Sequence, residues 1–222
     1  MNREALTSAK RIVIKIGSSS LTGAAGSELD PHAVAKIVAF AYSLKKRGAD
    51  VLLVSSGAIA AGLAPLGLRV RPKDLATQQA AASVGQGLLI AQYHEKFSSH
   101  GVISSQVLLT TEDIVRRSHY QNAQQTLTKL LSLGVIPIVN ENDTVGTQEI
   151  RFGDNDRLAA LVALLIHADL LILVSDIDAL YDAPPTQNGA QPIRYVATMS
   201  DIESIVLGGA GSAGVGLSLI HI

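Results

Sequence analysis

Cysteine is absent from the 222-residue chain, which excludes disulfide scaffolds, thiolate metal sites and cysteine nucleophiles. Charge is scarce as well: Asp, Glu, Lys and Arg make up 17% of the residues, and the formal net charge is −1. With no long basic run, neither a nucleic acid nor a membrane surface is an expected partner. Uninterrupted apolar stretches are missing too. The most apolar region, 158–174, is broken by His167 and Asp169 and makes a poor membrane span. Residues 1–10 lack the apolar stretch of a secretory signal. The expected setting is the cytoplasm. What the chain does hold is apolar: hydrophobic residues reach 47%, enough for a substantial core and contrary to disorder. The length fits one large α/β domain or two small ones.

Short apolar runs alternate with helix-periodic stretches, the pattern of βαβ units and a mainly parallel sheet. Arg11–Ile16 reads as the first strand and ends in Gly17 and three serines. Asp30-Pro31 supplies an N-cap followed by proline at the first helical position. Val34, Ile37, Val38, Ala41 and Leu44 then recur at helical spacing until Gly48. Residues 51–54 form the second expected strand, and an alanine-rich helix runs from about Asp74 to Phe97. Gly85 and Gly87 inside it signal a break or close packing on another backbone, since each costs a helix about 1 kcal/mol against alanine. A strand over 102–109, a helix start at Thr110-Thr111, a helix over 118–132 closed by Gly134 and a strand over 135–139 follow. Pro137 cannot donate to a ladder and points to a bulge or an edge. A helix over 157–167 precedes the run 170–174, apolar on both faces as a central parallel strand would be. Residues 200–207 read as a further helix. No repeat or linker interrupts this, so the expected fold class is α/β: one domain over 1–216 with an open, mainly parallel sheet sandwiched by helices.

Polar clusters close the apolar strands: Lys15-Ile-Gly17-Ser-Ser-Ser20, Ser55-Ser56-Gly57, Asn140-Glu-Asn-Asp143 and Ser175-Asp176. Open α/β sheets bind ligands at their carboxyl ends, so several such clusters point to a site. Lys15 reads equally as a phosphate ligand beside a glycine turn and as a lysine snorkelling to a strand edge. Asp154 and Asn155 open a helix, where such residues are often only caps. Glu141, Asp143, Glu149, Asp154 and Asp156 gather many carboxylates near one strand end and call for a cation, an ammonium or Mg²⁺. The six histidines are scattered and show no metal-ligand spacing. Familiar phosphate motifs fail. Gly57 and Gly62 have P-loop spacing, but Leu63 and Ala64 stand where lysine and serine or threonine are needed. Gly209, Gly211 and Gly214 follow a helical pattern instead of a strand and read as a mobile glycine-rich loop.

The chain resembles the amino-acid kinase superfamily and within it is similar to the glutamate 5-kinases, from about Arg11 to Gly216. The resemblance lies in Lys15-Ile-Gly17-Ser, Ser55-Ser-Gly-Ala-Ile-Ala-Ala-Gly62, Asn140-Glu-Asn-Asp143, Gly153-Asp-Asn-Asp156 and Ser175-Asp-Ile-Asp-Ala-Leu-Tyr181. Ser175 and Ala179 depart from it, standing where the family often has threonine and glycine. It implies ATP-dependent phosphorylation of the γ-carboxylate of L-glutamate, with Mg²⁺, in proline biosynthesis. Lys15 would contact the transferring phosphate, and Asp156 would orient the active-site lysines. Ser56, Asn140, Asp143, Asp154 and Asn155 would form the glutamate site, and Lys15, Gly17, Ser175 and Asp176 the nucleotide site. No protein ligand to a metal is implied. Proline as feedback inhibitor and a homo-oligomer are further implications.

The family continues from this glycine-rich loop into Thr-Gly-Gly-Met and a lysine, whereas here Gly214-Val-Gly216 leads into Leu217–Ile222. Residues 217–222 are therefore expected to be a non-native tail and the fold incomplete at the C-terminus. The 222-residue chain is expected to be inactive although its parent is active. Alternatives are a sibling kinase acting on aspartate, acetylglutamate, carbamate or UMP, and a non-catalytic amino-acid-binding fragment.

Overall fold

The structure, a computed structural model, describes residues 6–23, 28–146, 155–175, 179–183 and 188–202. Its centre is a five-stranded sheet built from β1 (Arg11–Ile16), β2 (Asp50–Ser55), β3 (Ser104–Leu109), β4 (Ile136–Glu141) and β5 (Leu170–Val174). They lie in the order β3-β4-β2-β1-β5, and every neighbouring pair is parallel. Parallel neighbours need a crossover, which the helices α1 (Pro31–Lys46), α2 (Ala58–Leu63), α3 (Leu75–Ser98), α4 (Thr111–Val115), α5 (Arg117–Ser132) and α6 (Asn155–Leu165) provide. A small antiparallel pair, β6 (Leu180–Tyr181) and β7 (Pro192–Ile193), follows.

Strand alternation divides the core in two. Ile12, Ile14, Ile16, Val51, Leu53, Ile136 and Ile138 pack on α1 and α3. Val13, Leu52, Val54 and Val139 pack on the other face against α5 and α6. The helices begin where local chemistry dictates. Asp30 caps α1 by accepting from the His32 amide, with Pro31 at the first position. Asp74 caps α3 through the Thr77 amide, and Thr110 and Asp113 form a reciprocal capping box on α4. Among the described residues no helix is long and apolar enough to cross a membrane.

Two expectations change, and one helix is new. Among the described residues the run 170–174 is not a central strand: β5 pairs there with β1 alone and lies at the edge of the sheet they form. Apolarity on both faces does not report strand neighbours: all five residues of β5 are half-buried, Leu170, Ile172 and Val174 toward one core cluster and Leu171 toward the other. Pro137, expected at an edge or bulge, lies in the interior strand β4. It is opposite Ser105 of β3, while pairing with β2 covers Ile138 and Val139 and so begins beyond it. Helix α2 was not anticipated at all. The choice left open at Gly85 resolves to close packing, because α3 continues unbroken and a Cβ there would stand 1.9 Å from the Ala58 carbonyl oxygen of α2. Of the helix expected over 200–207, a 3₁₀ turn covers Met199–Ile202. The remainder, with Gly209, Gly211, Gly214 and the tail 217–222, lies outside the described residues.

Candidate active site

Parallel pairing brings the polar strand ends to one edge of the sheet. Lys15 is opposite Val54 and Leu173, and Ile16 is opposite Ser55 and Val174. Alternation then separates the polar residues by face. Lys15, in step with Val13, turns toward α6. Ser55 and Asn140 turn toward α3, where Ser55 Oγ meets Tyr93 Oη at 3.1 Å and Asn140 Nδ2 donates to Gln86 Oε1 at 2.7 Å.

The first turn of α6 joins the two sets. Asp156 Oδ1 lies 2.6 Å from Lys15 Nζ, with the side chains only 14% and 8% exposed for Lys15 and Asp156. Asn155 directs Nδ2 at Ser56 Oγ (2.7 Å), the Ser55 carbonyl (3.1 Å) and Asn140 Oδ1 (3.2 Å). An amide nitrogen carries two hydrogens, so three acceptors share two donors. Ser56 Oγ, accepting there, keeps its own O–H to donate. Asn155 Oδ1 is buried without a hydrogen-bond partner among the described residues.

Lys15 also borders the turn that leaves β1. The Gly17 amide donates to the Val174 carbonyl at 3.3 Å, tying this turn to the end of β5. A Cβ at Gly17 would stand 3.6 Å from Lys15 Nζ and 3.7 Å from both Ser19 Oγ and the Val174 oxygen. Bare glycine thus leaves a small cradle beside the ammonium. Exposed Ser175 follows β5. Asp176 and Asp154, both expected in the site, lie outside the described residues.

After β4 the chain carries two shielded carboxyls. Burial, then the charges of Asp143 and Asp113, push Glu141 up to about 7. Burial raises Asp143 to about 6 against the opposing pull of the Arg71 guanidinium. Of the carboxylates expected to share one cation, Asp156 is taken by Lys15, while Glu149 and Asp154 fall outside the described residues. Among the described residues no group of three or more His, Asp or Glu is placed to hold a metal ion. The donor set instead offers a cation and a glycine cradle on one side, and hydroxyl, amide and carboxylate groups on the other. Those are the partners of an anion and of a small zwitterion.

Gln86, Tyr93 and Arg71 were missed as contributors. For Gln86 a signal was available, because it interrupts the buried stripe of Ala82, Leu89 and Tyr93 on α3, and a polar residue on such a stripe needs a partner.

Residues 10–216 match the model of the Amino acid kinase family. The chain belongs to the amino acid kinase family. Among curated members, it is 59% identical over 214 residues to the glutamate 5-kinase of Salinispora arenicola, covering 96% of this chain and 58% of that protein. The glutamate 5-kinase of Streptomyces coelicolor is 58% identical, with 96% and 57% covered. That of Clavibacter sepedonicus is 52% identical, with 97% and 81% covered. The chain thus spans rather more than half the length of the first two of these amino acid kinase family members.

Proposed function

We propose that this chain forms the kinase part of an enzyme that transfers the terminal phosphoryl group of ATP to the side-chain carboxylate of L-glutamate, giving glutamyl 5-phosphate for proline biosynthesis. Besides the similarity to glutamate 5-kinases, the observation that supports it is the shielded Lys15–Asp156 pair, set at the same sheet edge as the Ser56, Asn140 and Asn155 network.

An acceptor carboxylate and a polyphosphate repel each other, and phosphoryl transfer is catalysed mainly by positioning and charge stabilisation. Lys15, held in place by Asp156, supplies positive charge where the two anions meet. A glutamate side chain, with an ordinary pKa of about 4.3, is already ionised at neutral pH, so no general base is required. Its oxygen forms the new bond to phosphorus as the bond to the ADP oxygen breaks. Asn155 Oδ1 and the Asp143 carboxylate suit the amino acid's ammonium, and the Ser56 hydroxyl suits a carboxylate. The cradle at Gly17 fits a phosphate oxygen, so Lys15, Gly17 and Ser175 would hold the nucleotide. Mg²⁺ would enter with the phosphates and neutralise part of their charge. Feedback inhibition by proline and assembly as a homo-oligomer belong to the same proposal.

The test joins this chain at Gly216 to the C-terminal remainder of the Salinispora arenicola relative. The product is incubated with ATP, Mg²⁺, hydroxylamine and glutamate, aspartate or acetylglutamate. Hydroxamate formation with glutamate, matched by ADP release, is expected. Hydroxamate from another acid and none from glutamate overturns the substrate assignment.

A further inference from the structure

The amide of Asn140 has its orientation set by the backbone. The Glu141 N–H donates to Asn140 Oδ1 at 2.9 Å, so the oxygen must lie on that side and Nδ2 on the other. Nδ2 is buried within the protein and needs an acceptor, which is Gln86 Oε1 at 2.7 Å. The same Asn140 oxygen takes a bond from Asn155 Nδ2, and Asn155 Nδ2 in turn reaches Ser56 Oγ. One chain of bonds therefore runs from α3 through β4 to the tip of α6 and the end of β2.

Gln86 holds the inner end of that chain at a visible cost. Its Nε2 is buried with no partner among the described residues, and the residue is only 9% exposed. A leucine or methionine on this apolar stripe would carry no buried donor of its own but would strand Asn140 Nδ2, so the amide has a use other than packing. Its neighbour Gly85 brings α3 against the Ala58 carbonyl of α2.

We propose that Gln86 is a positioning residue of the acceptor site. Resting on the acceptor site proposed above, it fixes the Asn140 amide and through it turns Asn155 so that Oδ1, and the Ser56 hydroxyl, face the incoming amino acid. Without Gln86 Oε1, Asn140 Nδ2 has no acceptor. The Asn140 amide then rotates or opens, and Asn155 loses its reference.

The test uses the joined protein described above, with ¹⁵N-labelled asparagine side chains, and its variant Gln86→Met, which keeps length and bulk but removes the accepting oxygen. Side-chain amide exchange at Asn140 and Asn155 is expected to quicken at least tenfold, while backbone amides of β1 and β2 keep their protection. Unchanged asparagine exchange, or equal quickening throughout the core, overturns the proposal. Calorimetry should show glutamate binding weakened at least tenfold, with a non-hydrolysable ATP analogue binding as before. Equal glutamate binding by both proteins overturns the role of Gln86 but leaves the substrate assignment intact. Altered exchange in a chain that binds no glutamate does the reverse. Should Gln86→Met not fold, Gln86→Leu replaces it. Solvent-rate exchange of the Asn140 amide in the unmutated chain would by itself overturn the proposal.

Discussion

Lys15 Nζ and Asp156 Oδ1 lie 2.6 Å apart, joining the end of β1 to the first turn of α6 with both groups largely out of solvent. Removing one partner of a shielded pair strands the other charge, whereas removing both leaves an apolar contact. Lys15→Met should therefore lower the unfolding free energy by about 3 kcal/mol, and Lys15→Met with Asp156→Leu should regain much of that. Transfer activity should fall by about a hundred- to a thousandfold in both. Denaturant titration beside the hydroxamate assay reads the two effects. A double variant no more stable than the single one would show that the pair is not electrostatically coupled.

Asn155 bridges the Ser56 hydroxyl and the Asn140 amide, and its buried Oδ1 has no hydrogen-bond partner among the described residues. For Asn155→Ala, the KM for glutamate should rise about 10- to 100-fold, the value of one or two hydrogen bonds to a charged group. The KM for ATP should stay near that of the parent. If both constants rise together, Asn155 serves the scaffold and not the acceptor.

Glycines in α3 provide a controlled pair. At Gly85 a Cβ would collide with the Ala58 carbonyl oxygen at 1.9 Å, whereas at Gly87 it would meet nothing within 4 Å. Gly85→Ala must push two backbones apart and should cost about 3 kcal/mol or more. Gly87→Ala should stabilise by up to about 1 kcal/mol through helix propensity alone. Thermal melting of both variants checks the contrast, and similar shifts would mean that α2 yields freely.

Glu141, at about 7, and Asp143, at about 6, both raised chiefly by burial, should each withdraw stability as pH rises through the acidic range. A carboxyl with a folded pKa above its unfolded value holds its proton more tightly in the native state. Its contribution is complete below the unfolded value, near pH 4, and is lost as pH climbs to about 7. Glu141→Gln removes one of these titrations. It should match the parent near pH 4 and exceed it on the order of 2 kcal/mol at pH 8. A difference independent of pH would assign the effect to packing.

Much of the scaffold was legible because its signals are local. Asp30 and Thr110 cap the helices they were expected to start, and Gly48 and Gly134 follow helix ends with positive φ. Lys15, Ser56 and Asn140 could be placed at strand ends and Asn155 at a helix start by pattern, and the fold brings them within a few bonds of one another. Strand order was not legible. The apolar run at β5 looks the same whether one strand or two flank it, and Pro137 is excluded only from the rungs that need its missing N–H. The pairing of the inward-facing Gln86 amide was not legible because its partner, Asn140, lies 54 residues away, and pairing across distant segments leaves no period in either.

The split of polar groups between the two faces has a geometric consequence for whatever binds. Lys15 looks over one side of the sheet toward α6, and Ser55 and Asn140 look over the other toward α3, with Asn155 reaching across the crest between them. A ligand must sit astride that crest, like a rider in a saddle, to touch both sides at once. Selection then depends on span as well as charge. A one-residue slip of β1 would swap Lys15 and Ile16 between the faces, keeping the sheet paired while unseating every such rider.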